Sequence, residues 1–340
     1  MKKKVYGVVL VGCGHIGEEH IRDIYYRKNV RIIATVDFDV ERAALFARKY
    51  SGGHRVKYGA DYREFITRPD VDIVIVATYA QTHYAIVKDC IAAGKHVLCE
   101  KPVAPTYDEA KEFYRMVQGS ESRVLIAHIL RHNAMYQKAA EMIRSGLIGE
   151  VRLIRMSQNH HIMNRERYMK LLQDCSPIVD CGVHYVDVIR WLTGLEITAV
   201  SGTGAIVDPT IPAGTYDHGR IQMRLSNGAV AYYEATWTET CASENQKEFI
   251  GTKGRITLTL ADNRIKDQEE GNLIEYYDAE HGEYHTINVN GAYKDMYAQF
   301  STLVDMIENG TEGSPTMEDA MEAFRVVTEC DRMIRGKLGI

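Results

Sequence analysis

Val5-Tyr6-Gly7-Val8-Val9-Leu10-Val11-Gly12-Cys13-Gly14-His15-Ile16-Gly17 passes from a short apolar run directly into a G-x-G-x-x-G spacing. The run is rich in β-branched residues and has about the length of one buried parallel strand. A helical pattern follows, so the glycines sit where a strand turns into a helix. Gly12 would permit the tight turn, Gly14 would let the backbone approach a pyrophosphate, and Gly17 would let the helix pack close to the strand. The helix N-terminus beside His15 and Ile16 then offers unpaired N–H groups and the positive end of its dipole.

Asp37 lies twenty residues past Gly17, at the end of the next apolar run. A carboxylate there accepts hydrogen bonds from ribose hydroxyls and, with Asp39 nearby, repels a 2′-phosphate. The predicted ligand is a dinucleotide, NAD in preference to NADP, held by Gly12, Gly14, His15, Ile16, Gly17 and Asp37. Arg42 could soften the repulsion but falls on a helical pattern and is expected in solvent. A glycine turn used only for packing would show the same spacing.

The alternation continues to residue 128. Apolar runs at 5–11, 30–36, 71–77, 96–98 and 124–127 are separated by helical patterns at 16–27, 40–50, 82–93 and 107–118. This predicts an α/β Rossmann domain over 1–128, with a parallel, doubly wound sheet and right-handed crossovers. Beyond it come a helix at 134–145, a strand at 151–158 and helical segments up to 192. Strands follow at 197–206, 219–225, 229–238, 247–250, 255–260 and 273–277, with Ser226-Asn227-Gly228 suited to a tight hairpin turn. Helices at 293–308 and 317–335 close the chain. The expectation for 129–340 is an α+β domain, for substrate binding and oligomerisation, on a large open, mostly antiparallel sheet. A sheet face of that size needs covering, so self-association through it is expected.

A chain of 340 residues is too long for one ordinary core and comfortable for two domains. Net charge is −5, from 41 basic and 46 acidic residues, which leaves no footprint for nucleic acid. Met1-Lys2-Lys3-Lys4 ahead of 5–11 imitates a signal peptide, but the apolar run is short and closes on the glycine turn, so a strand is the better reading. No stretch approaches the roughly 20 apolar residues of a membrane span. The seven cysteines are scattered with no CxxC pair, which fits reduced thiols in a cytoplasmic protein and no zinc site.

Glu100-Lys101-Pro102 follows directly on the run 96–98, and ligands of open α/β sheets gather at the carboxyl ends of strands. A solvated surface turn is the competing reading. In Ser176-Pro177-Ile178-Val179-Asp180-Cys181-Gly182-Val183-His184-Tyr185-Val186-Asp187, Ser176 before Pro177 is a good helix start. Asp180 and His184 are then four apart on one face, where a carboxylate raises the basicity of an imidazole and fixes its tautomer. Asp187 could support the histidine from the adjoining face. An ordinary surface pair would have the same spacing, although the surrounding Ile178, Val179, Val183, Val186, Ile189 and Trp191 leave little of the helix polar.

Taken together these residues resemble the glucose–fructose oxidoreductase / inositol dehydrogenase (Gfo/Idh/MocA) family over nearly the whole chain. The resemblance is carried by Gly12–Gly17, by 71–78 with His83, by 93–102 including Glu100-Lys101-Pro102, by 148–151, by Asp180-x-x-x-His184-x-x-Asp187 and by 251–254. It implies that Lys101, Asp180 and His184 line one cleft and act on an alcohol beside a nicotinamide ring. Thr78, His83 and Glu100, with Lys101, would border the cofactor. His184 would take or return the hydroxyl proton of a sugar or cyclitol, Lys101 would stabilise charge on that oxygen, and Asp180 would support the pair. It also implies a homodimer or homotetramer.

Three departures prevent transfer of a substrate. Thr78 is followed by Tyr79 and Ala80 rather than Pro-Asn, Asp174-Cys175-Ser176-Pro177 replaces a glycine run, and His128-Ile129-Leu130-Arg131-His132 replaces an aromatic and a small polar residue before arginine. His128/His132 and His160/His161 have no acidic partner at metal-site spacing and read as pocket lining or surface. Tyr136, Tyr168 and Tyr185 could face a sugar, with core packing the default for each. Two other functions fit the same fold: glycoside cleavage through transient oxidation, and non-catalytic dinucleotide sensing. Retention of both Lys101 and His184 argues against the sensor.

Overall fold

The computed structural model describes residues 4–162, 164–260 and 272–340. It divides into two compact units, one formed by the chain up to Ile129 with Asp295–Met321, the other by Leu130–Lys294 with Glu322–Ile340.

The first unit runs β1 (Tyr6–Val11), α1 (His15–Ile24), β2 (Val30–Val36), α2 (Val40–Lys49), β3 (Lys57–Gly59), α3 (Arg63–Ile66), β4 (Ile73–Val76), α4 (Ala80–Ala92), β5 (His96–Cys99), α5 (Tyr107–Gln118) and β6 (Val124–Ile126). Its sheet has the order β3-β2-β1-β4-β5-β6, and every pairing is parallel. β1 and β4 are buried along their whole length because helices cover both faces of the sheet, which is why these strands are continuous runs of Val, Ile and Leu rather than alternating ones. Strand order reverses at β1 beside β4, the place where such sheets hold ligands.

The helix Met296–Asn309, far along the sequence, also belongs to this unit. Its Phe300, Leu303, Val304 and Met306 join Leu10, Ile21, Ile24 and Leu98 in one apolar cluster. A boundary at 128 therefore leaves out a structural part of the first unit, because an amphipathic helix announces that it needs a core without saying which one.

The second unit opens with a 3-10 turn, Ile129–His132, whose first residue still falls in the first unit. There follow α6 (Ala134–Arg144), β7 (Val151–His161), α7 (Arg165–Asp174), α8 (Pro177–Asp180) and α9 (Gly182–Thr193). The strands β8 (Ile197–Ala205), β9 (His218–Leu225), β10 (Val230–Thr238), β11 (Lys247–Gly251), β12 (Gly254–Thr259), β13 (Asn272–Asp278) and β14 (Glu283–Val289) complete its sheet, in the order β14-β13-β12-β11-β7-β10-β9-β8. β7 and β10 pair in parallel and the other pairs are antiparallel.

One face of this sheet is buried and the other is not. In β9, Gly219, Ile221, Met223 and Leu225 point inward while Arg220, Gln222 and Arg224 point out. The outer face carries a ladder of charge: Arg155 lies 2.9 Å from Glu248, and Arg255 lies 3.6 Å from Glu248 and 3.7 Å from Glu275. Among the described residues no helix is long and apolar enough to cross a membrane.

Candidate active site

The three glycines of the turn after β1 have different surroundings. Gly12 has φ +98°, and a Cβ there would stand 2.3 Å from the carbonyl oxygen of Ala77 at the end of β4. At Gly17 a Cβ would lie 2.0 Å from the Gly12 carbonyl oxygen, so only glycine lets α1 lie this close to the turn. Gly14 differs, since a Cβ there meets no protein atom within 4 Å. It is the N-cap of α1 and offers no side-chain cap. A helix N-terminus beside an open approach suits a pyrophosphate. His15 is exposed and Ile16 half-buried within the same turn.

Asp37 is buried at the end of β2. One carboxylate oxygen accepts from the Cys13 N–H at 2.8 Å and the other from the Asp39 N–H at 2.9 Å. Each oxygen retains acceptor capacity for a hydroxyl. Arg42 is not simply in solvent as expected: a guanidinium nitrogen lies 3.8 Å from Asp37 and another 3.2 Å from Asp39, although the side chain is partly exposed.

At the end of β5, Glu100 is buried, which removes the reading of this motif as a solvated turn. Its Oε1 lies 2.8 Å from His20 Nε2 on α1, and its Oε2 accepts from the Lys101 N–H at 3.2 Å. The glutamate thus ties the Lys101 turn to the helix that follows the glycines. The half-buried Lys101 is joined to Pro102 by a cis peptide. His83 on α4 is fully buried, with Nδ1 3.0 Å from the Pro102 carbonyl and Nε2 3.1 Å from that of Thr78. Its ring clamps the ends of β4 and β5, while Thr78 at the same rim is half-buried and accepts from Thr82 Oγ1 at 2.7 Å.

In the second unit Ser176 caps α8, accepting from the Val179 N–H at 3.3 Å and donating to Asp331 Oδ1 at 2.5 Å. The helix predicted from Ser176 onward is interrupted. α8 ends at Asp180, α9 begins at Gly182, and the His184 N–H bonds to the Cys181 carbonyl three residues back. Gly182 is packed tightly at the joint, where a Cβ would lie 3.2 Å from the Tyr233 ring and 3.4 Å from Val327. Asp180 and His184 are both half-buried, and Asp180 Oδ2 lies 3.6 Å from the Cys181 thiol. Asp187 is fully buried and its carboxylate is held by the fork of Arg131.

A family model described as an oxidoreductase family with an NAD-binding Rossmann fold matches residues 6–128, and the GFO/IDH/MocA C-terminal domain matches 136–257. This chain belongs to the Gfo/Idh/MocA oxidoreductase family. Inositol 2-dehydrogenase of Ralstonia nicotianae is 25% identical over 339 residues, covering 95% of this chain and 92% of the relative. The structure of an aldose-aldose oxidoreductase from Caulobacter crescentus has a TM-score of 0.84 at 21% identity, covering 98% of each chain. A putative NADPH-dependent oxidoreductase from Desulfitobacterium hafniense has a TM-score of 0.83 at 19% identity, covering 99% of this chain and 97% of its own. These two likenesses establish the shared fold.

As a family member the chain is a dehydrogenase acting on CH–OH groups, and its first unit is built for a nicotinamide dinucleotide. Around α8 and α9 this Gfo/Idh/MocA protein buries several aromatic residues. Tyr136 and Tyr185 are core, and Tyr185 stacks on Tyr233 with centroids 4.9 Å apart. Tyr168 donates or accepts at 2.8 Å with His160 Nδ1, and burial pulls the His160 imidazole below its ordinary value. His128 and His132 are buried. Among the described residues no three His, Cys, Asp or Glu side chains gather as for a metal. All seven cysteines are described and none is in a disulfide; burial, with Asp37 adjacent, pushes the Cys13 thiol up to about 12. Sequence reading missed two residues. His20 belongs to no motif in the sequence, and Arg131 stands there only within the departure His128–His132. Their partners are 80 and 56 residues away, beyond any local pattern.

Proposed function

We propose that the chain transfers hydride between NAD and a secondary alcohol of a sugar, sugar derivative or cyclitol, with Lys101, Asp180 and His184 as its catalytic group. The observation that carries this is the buried Glu100–His20 pair, which fixes the backbone of Lys101 at the carboxyl end of β5 and links it to α1. A bound nicotinamide supplies the hydride acceptor. His184 takes the proton that leaves the hydroxyl, the Lys101 ammonium stabilises the developing negative oxygen, and Asp180 holds the histidine ready. Each of the three residues is half-buried in its own unit.

Inositol 2-dehydrogenase among the relatives supports a polyhydroxylated substrate. The NAD preference rests on Asp37, whose buried carboxylate opposes a 2′-phosphate, while Arg42 at 3.8 Å weakens but does not reverse that charge. His83 borders the cofactor beside the Thr78 rim, its Nδ1 lying 3.0 Å from the Pro102 carbonyl and its Nε2 3.1 Å from that of Thr78. We place the enzyme in the cytoplasm, where seven thiols outside disulfides suit a reducing compartment. Self-association into a dimer or tetramer through the outer sheet face would be polar and salt-sensitive.

The test is a screen of inositols, other polyols and sugars with NAD and NADP, following absorbance of the reduced cofactor. On the substrate found, Lys101→Ala and His184→Ala should each lower turnover by about a hundredfold or more. Retained NAD binding with undiminished turnover in both variants refutes the catalytic assignment, and a tenfold or greater preference for NADP refutes the reading of Asp37.

A further inference from the structure

We propose that Arg131 and Asp187 form a charge-balancing clamp that keeps either ion from shifting the proton affinity of His184, a positioning role that leaves the proton transfer to the histidine. Its catalytic meaning rests on the assignment of His184 above.

Arg131 stands in the turn Ile129–His132 and Asp187 in α9. Arg131 Nε donates to Asp187 Oδ1 at 3.2 Å and Oδ2 at 2.9 Å, and Nη2 donates to Oδ1 at 2.6 Å. The two side chains are only 5% and 1% exposed. Two further contacts fix the arginine: its carbonyl accepts from Gln137 Nε2 at 3.0 Å, and its guanidinium lies 5.7 Å from the Trp191 ring, one turn beyond Asp187.

Stability does not account for such a pair. Desolvating two charges costs several kcal/mol each, and apolar residues of matching shape often serve a core as well. What an ion pair provides that an apolar pair cannot is two opposite charges that cancel at a chosen place. Here that place is one helical turn from His184, since residues three apart on a helix are neighbours on its face. A lone carboxylate at that distance would favour the imidazolium, and a lone guanidinium would disfavour it. With both present the imidazole keeps an affinity set by its other neighbours, including the positive end of α9.

The other titratable or charged groups on the elements around α9 include Asp180 and the Cys181 thiol at the α8 end, Tyr185 on α9, His132 in the turn with Arg131, Tyr136, Lys138, Glu141 and Arg144 on α6, Tyr232, Tyr233 and Glu234 on β10, and Lys247, whose ammonium lies 4.3 Å from the Tyr185 ring. On α9 itself Arg190 pairs with Glu196. These groups are the same in every variant below, so their influence cancels in the differences.

The experiment is a pH titration of the full-length protein labelled with [13C]histidine, read by NMR, with the His184 signal assigned by its loss in His184→Gln. Arg131→Met should raise the proton affinity of His184 by about tenfold or more, and Asp187→Asn should lower it by about tenfold or more. The double variant Arg131→Met/Asp187→Asn should return within about twofold of the unaltered protein. Should a single variant fail to fold, Arg131→Lys and the neutral pair Arg131→Gln/Asp187→Asn take its place, each expected within about threefold of the unaltered protein. Shifts of the same sign in both single variants, a tenfold change in the neutral pair, or failure of every variant to fold would make the pair purely structural and overturn the proposal. The titration needs no substrate, so its outcome stands apart from the turnover assays that test the dehydrogenase reading.

Discussion

Two glycines three residues apart on the same turn have opposite reasons for lacking a side chain. A Cβ at Gly17 would drive into the Gly12 carbonyl at 2.0 Å, so the protein itself occupies the space. A Cβ at Gly14 meets nothing within 4 Å, and its backbone, at φ −84° and ψ −169°, is extended and open to any residue. The space beyond Gly14 is thus free for ligand. Gly14→Ala should cost at most about 1 kcal/mol of stability, as a poorer N-cap, while weakening NAD binding by tenfold or more. Gly17→Ala should weaken binding and also cost about 3 kcal/mol, because backbone must move. Thermal unfolding with a parallel binding titration separates the two. Equal stability losses in both variants would show that Gly14, too, is demanded by packing.

At the level of elements, α8 is a single turn that could not stand alone, yet it carries Asp180. Nucleation of so short a helix is unfavourable, so its ends must be held by tertiary contacts. Ser176 does this with one hydroxyl: it receives the Val179 N–H, donates to Asp331, and receives the Tyr216 hydroxyl at 3.0 Å. Ser176→Ala should lower unfolding free energy by about 2 kcal/mol in urea denaturation, from the lost cap and the hydrogen bond to a charged partner. A loss below about 0.5 kcal/mol would show that Pro177 and the surrounding packing suffice. The cap was legible in the sequence because Ser-Pro before an apolar run is a local signal. The break at Cys181 was not, and the close packing of the adjoining Gly182 on the Tyr233 ring involves a residue some fifty positions away in the chain. β14 was likewise hidden: Glu-Tyr-His-Thr-Ile-Asn-Val has mostly exposed side chains, and an edge strand held by backbone bonds to β13 leaves no apolar alternation to read. The parallel strands of the first unit were plain for the opposite reason, since burial on both faces forces apolar runs.

For the molecule as a whole, the consequential feature is the return of Met296–Asn309 to the first unit. Phe300 and Leu303 are fully buried in the same cluster as Ile21 and Ile24 of α1. The contact is also latched by polar groups: Arg27 donates to the Tyr297 carbonyl at 2.9 Å and to Ser301 Oγ at 2.8 Å, its guanidinium lies 3.9 Å from the Tyr297 ring, and the Tyr6 hydroxyl donates to Glu308 at 3.0 Å. The helix therefore packs directly on α1, the element whose N-terminus would receive phosphate. A dinucleotide domain drawn from strand–helix alternation alone would end near 128 and leave this surface bare. Phe300→Ala should cost about 3–5 kcal/mol, the usual range for truncating a buried phenylalanine. NAD should still bind, because no residue of the glycine turn or Asp37 is altered, and saturating NAD should recover part of the lost stability by mass action. A fragment ending at Ile129 should fare worse, aggregating or unfolding without a cooperative transition, since the apolar side of α1 has no cover. Chemical denaturation with and without NAD, on the variant and the fragment side by side, is the measurement. If the fragment unfolds cooperatively with the stability of the intact first unit, the helix merely rests on a domain that is already complete.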